Sequence, residues 1–173
     1  MRTLRTTVSA LAVLSLLLSS AMATLAETTD TTQRIGHVGG SLNVSQLPGG
    51  DWTMEDRTFQ YRDFPTSGSL WRVNDRRVAG HVVSTWNWDV DAGGAHPTPV
   101  WGTMSVSGAD RAWRGTFTGV RSSDFEPVEV RATLLGEGAY DGLGVTLDIT
   151  ATGMAGGETW IVDGVVFPLP MDS

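Results

Sequence analysis

The chain reads as all-β, an antiparallel up-and-down barrel of about eight strands. Three observations predict this class. From Ser41 onward, short stretches alternate apolar and polar residues, the period of a half-buried strand. Turn-forming clusters such as "PGGD", "PTSG", "DAGGAHPTP", "SSDFEP" and "TGMAGG" separate those stretches at short intervals. Several strands also alternate aromatic residues with glycine on one face, as "AWRGTFTGV" does with Trp113, Gly115, Phe117 and Gly119. Glycine beside a large ring leaves it room and lets a strand coil sharply, as the inner wall of a small barrel requires. A β-sandwich with glycine bulges is the alternative.

Taken in order, residues 1–23 have the layout of a secretory signal peptide. Arg2 and Arg5 precede the apolar run "ALAVLSLLL", and small residues follow. Ala21 and Ala23 suit cleavage after Ala23, with Ala26 the alternative. The run is far short of the ~20 residues of a membrane span. No anchor is expected after cleavage, and the mature protein is expected to be extracellular. Residues 24–40 are polar, Thr-rich and aperiodic, a flexible tail whose last residues join the first strand. Residues 41–173 then form a single barrel domain. Strands are expected at 42–47, 57–64, 69–73, 77–90, 100–107, 112–120, 128–135, 143–151 and 159–167. Helix is expected at most as one turn, in the tail or near 51–57.

Composition excludes several functions. The formal charge is −7, and −9 once Arg2 and Arg5 leave. An acidic chain with no basic run is a poor partner for nucleic acid or an anionic membrane. All 12 basic residues are arginine, which suggests a GC-rich bacterial genome. Cysteine is absent, so disulfides, thiol catalysis and thiolate metal sites are excluded. No P-loop, nucleophile elbow or zincin motif is present. His37, His81 and His96 have no metal-ligand spacing. No metal or cofactor is expected.

The hairpin sequence "WRGTFTG", followed by "GEGAYDGLG", resembles small secreted bacterial proteins of the allene oxide cyclase-like barrel type. These are calycin-like, and dirigent proteins share the architecture. The resemblance covers roughly residues 100–167. It implies an eight-stranded barrel with a hydrophobic pocket. No catalytic residue of the cyclases matches a position in this chain, so the resemblance carries no activity with it.

Candidate ligand-binding residues are polar groups set into half-apolar strands. They are His81, Arg114, Arg131, Asp148 and Asp163, with Tyr140 beside the Asp141-Gly142 turn. Whether this mixed face looks inward is open at this stage. If it lines a cavity, the charges should converge and orient a ligand. If it faces solvent, they are ordinary surface charges. The expected function is a secreted, non-catalytic barrel that binds a small apolar or aromatic molecule. A cofactor-free cyclase or isomerase and a carbohydrate-binding module are the alternatives.

Overall fold

The computed structural model describes residues 36–94, 96–123, 127–151 and 159–170. Those residues form nine strands: β1 (Gly36–Gln46), β2 (Asp51–Glu55), β3 (Thr58–Trp71), β4 (Gly80–Asp91), β5 (Thr98–Ser107), β6 (Arg111–Arg121), β7 (Val128–Gly138), β8 (Leu143–Ala151) and β9 (Thr159–Pro168). Every pairing is antiparallel, and strands β3 to β9 pair in sequence order. The ring closes through β1, which pairs with β9 and with the C-terminal half of β3. The N-terminal half of β3 pairs instead with β2, so β2 stands as an extra strand at one end of the barrel. Residues 1–35, which include the expected signal peptide and most of the tail, lie outside the described residues.

Alternation fixes which face is inside. On β5, Thr98, Val100, Met104 and Val106 are buried, and on β8, Leu143, Val145, Leu147 and Ile149 are buried. The residues between them look outward. The inner face is therefore the apolar one. The outer face carries Arg114, Glu129, Arg131 and Asp148 among many threonines. A lipid-spanning barrel has the reverse arrangement, with apolar residues outward.

Several strand glycines sit where neighbouring groups approach the backbone most closely. A Cβ on Gly115 would run into the carbonyl oxygen of Thr133 on β7, and the Cβ would also lie 2.9 Å from Leu134 Cα. At Gly102 the obstacle is shared between the Thr85 carbonyl and the Phe117 ring, whose Cζ would lie 2.7 Å away. Glycine thus admits the neighbouring backbone first and the aromatic ring second.

Two segments depart from expectation. Residues 51–55, near the expected helical turn, are strand β2, and no helix occurs among the described residues. Asp56 and Arg57 both take the left-handed conformation, with φ of 44° and 69°, which is how a two-residue hairpin turn matches strand twist. The expected strands 57–64 and 69–73 merge into β3, because "PTSG" lies within the strand. Thr66, Ser67 and Gly68 pair with both β1 and β4, so their backbones serve the ladder on each side.

Candidate functional site

The two ends of the barrel differ. At the end where β4 begins, the connection between β3 and β4 folds under the barrel. Asn74 N donates to Gly39 O at 3.1 Å, and Gly39 N donates to Asn74 Oδ1 at 2.7 Å. This ties the segment to β1 and sets Val78, fully buried, into the interior. Arg77 and Asp75 form an ion pair at 2.6 Å, with both side chains largely buried. Trp113 and Tyr140, 1% and 2% exposed, stack with ring centroids 4.8 Å apart. Trp113 Nε1 donates to Arg77 O at 2.8 Å, so the indole is satisfied and held. Burial pushes the Tyr140 phenol above its ordinary value, with Arg111 opposing the shift. This end is sealed.

At the other end the inner face is aromatic. Phe117 packs on Trp86 at 4.3 Å, and Trp86 meets Trp160 edge-on at 5.5 Å. Trp86 Nε1 donates to Ser84 Oγ at 2.9 Å, and Ser84 Oγ lies 2.6 Å from Thr66 Oγ1. Nearer the rim, Tyr61 stacks on Trp88 at 4.9 Å, and Phe64 packs on the same indole at 4.9 Å. Phe59, Tyr61, Phe64, Trp88 and Trp160 are half-buried, unlike the core.

A bulge assembles this cluster. Tyr61 faces Trp88 and Phe64 faces Trp86, so β3 carries one residue more than β4 between those pairs. Simple alternation would put Tyr61 and Phe64 on opposite faces; the extra residue brings both inward. Asp63 adopts φ 56° there, and its N–H donates to Asn87 Oδ1 at 3.0 Å. Arg62 pins the bulge from outside. It donates to Tyr61 O at 2.8 Å and Trp88 O at 3.2 Å, and its guanidinium lies over Trp101. Arg62 Nη1 also lies 2.6 Å from Asp89 Oδ1, an ion contact off the hydrogen-bonding direction.

The apolar face continues past the rim. On β2, Trp52 pairs with Tyr61 and Met54 with Phe59, so both share the inner face. They are 61% and 57% exposed. The same end holds Arg121, which alternates with Gly119 and Phe117 and so points inward, 9% exposed. Burial lowers its pKa, and Tyr61 partly offsets that. An arginine so placed stays charged at neutral pH.

The sequence-predicted residues do not converge. Arg131 and Asp148 face each other across β7 and β8 and pair bidentately at 2.6 and 2.9 Å. Arg114 pairs with Glu137 at 2.8 Å. Both pairs are on the exposed outer wall, where the mutual hydrogen bonds lower the Asp148 pKa and raise that of Arg131. Asp163 stands opposite Asp148 on the same wall, and His81 is on the outer face of β4. Tyr140 is buried, but at the sealed end. The mixed face is thus the solvent face. Among the described residues no group of three or more His, Asp or Glu is placed to hold a metal ion.

Tyr61, Phe64, Trp88 and Arg121 were not among the expected site residues. Parity alone places Arg121 with Trp113 and Phe117, and that signal was available in "AWRGTFTGVR". The bulge that turns Tyr61 and Phe64 to one side has no comparable mark. No protein-family model, curated protein or solved structure matches this chain.

Proposed function

We propose that this protein is a non-catalytic binding barrel that takes a small apolar or aromatic molecule at its aromatic end, and that it works outside the cell after losing residues 1–23. The carrying observation is the contrast between the ends. One is closed by a buried, hydrogen-bonded stack, and the other presents half-exposed rings that extend onto β2. Exposed apolar surface contiguous with half-buried aromatic rings is characteristic of interaction sites. Tyr61 and Trp88 offer a flat face for stacking. The ion pairs Arg114–Glu137 and Arg131–Asp148 lie on the outer wall, away from these rings. Export rests on the leader layout. Kinship with allene oxide cyclase-like barrels stays within this proposal and rests on the two hairpin motifs alone.

Titration with Nile red tests the binding reading. Folded protein should shift the dye emission to the blue with saturation. Trp88→Ala should weaken binding about tenfold or more while leaving the β-sheet circular dichroism intact. Folded protein that leaves the dye spectrum unchanged overturns the reading. For export, N-terminal sequencing of secreted material should begin at Thr24 or Glu27, and an intact Met1 on membrane-extracted protein would contradict it.

A further inference from the structure

The seam where β1 closes the ring against β3 carries a concavity on the outside of the wall. Asn43 faces Ser69 across it, Ser45 faces Ser67, and Ser41 faces Trp71. Asn43, Ser45, Gly68, Ser69 and Trp71 bound an open trough of about 480 Å³, inside the ~300–1,000 Å³ of small-molecule sites. The trough has a local cause. Its floor is made of short side chains, and Trp71 stands beside them as a tall wall.

We propose that this trough binds a neutral saccharide. Among the described residues no carboxylate lines it, so they offer a cation nothing. Serine hydroxyls and an asparagine amide each donate and accept, which suits a ring of hydroxyl groups. The Trp71 indole supplies an apolar wall for the C–H face of a sugar ring, and Arg72, with its guanidinium 4.2 Å from the ring centroid, holds that indole upright. Trp71 Nε1 is shielded and has no hydrogen-bond partner. Beyond the floor, Ser67 Oγ lies 3.3 Å from His81 Nε2, which carries the polar surface onto β4. This site is on the opposite face of the wall from the aromatic end and does not depend on it.

The test is a ¹⁵N-resolved NMR titration of the folded protein with cellotriose, chitotriose and maltotriose, each to roughly 10 mM, where millimolar binding is visible. At least one sugar should move the amides of Asn43, Ser45 and Ser69 and the Trp71 indole N–H, with Tyr61 and Trp88 unmoved. Trp71→Ala should weaken that binding about tenfold or more. Ser69→Arg keeps Trp71 and fills the floor, and should abolish the shifts even if the first variant does not fold. Sedimentation with insoluble cellulose, chitin and starch then separates a polymer ligand from a free oligosaccharide. Absence of shifts with all sugars, shifts at the aromatic end instead, or shifts that survive Ser69→Arg would each overturn the proposal. Nile red binding is expected to be the same in both variants, so failure here leaves the aromatic-end reading to its own test.

Discussion

At the scale of single residues, two ion pairs with similar geometry have different consequences because their surroundings differ. Asp75 and Arg77 are held under the barrel, and the Arg77 guanidinium keeps the Asp75 carboxyl below its ordinary value of 3.8. In the unfolded chain that carboxyl titrates near its ordinary value. The folded state is therefore favoured while Asp75 is ionised. This contribution is complete above about pH 4 and is lost as pH falls through the lower folded value. Asp75→Asn should flatten the acid limb of a denaturation profile in that window and lower stability at pH 7. An unchanged acid limb would mean that the pair adds nothing. Arg131 and Asp148 show the same directions of shift, but on the exposed wall, where water screens the charges. Asp148→Ala should leave the chemical-denaturation midpoint where it is. A clear loss would show that the outer charge row contributes to holding the sheet together.

Elements show how much was legible beforehand. The period-2 pattern marks β4 to β9 with boundaries close to those observed, because each has one buried and one solvated face. It fails around β2 and β3 for two reasons. β2 is only five residues long and wholly exposed, so the alternation of Trp52 and Met54 in it is too short to stand out beside its turn. β3 contains Pro65 and a bulge, so its pattern slips by one residue midway. The candidate site inherits that failure: the polar positions were visible, but the face they occupy was not, and the residues that gather at the rim depend on the slip. The sequence reading takes the β6 glycines as a device for curvature; the structure shows a different reason for them. That reason is contact with backbone, since Thr133 O occupies the space a Gly115 side chain would need. A carbonyl in a ladder cannot move aside as a side-chain tip can. Gly115→Val should therefore destabilise by at least ~1–3 kcal/mol, measured by chemical denaturation. A neutral result would mean that β6 and β7 can separate locally without loss.

At the scale of the whole molecule, the barrel divides stability from recognition along its axis. The interior from Val78 to Phe117 is continuously buried and contains Leu134, Val145, Leu147 and Val162, each at most 1% exposed. With no cysteine in the chain, this packing and the closed ladder must hold the fold. The sealed end caps that core, and the aromatic end leaves several rings half-covered. Substitutions at the two ends should therefore fail in different ways. Tyr140→Ala removes a buried ring from the Trp113 stack and leaves a cavity, which should cost about 3–5 kcal/mol. Provided the variant stays folded, it should bind Nile red as the native protein does, because Tyr140 is at the far end of the barrel. Trp88→Ala removes a half-exposed ring, so its stability cost should be smaller and its loss of dye affinity large. Measuring both variants by denaturation and by dye titration gives four numbers from which to judge the division. If Tyr140→Ala weakened dye binding as much as Trp88→Ala, the two ends would be coupled through the core, and the aromatic end could not be treated as a site of its own.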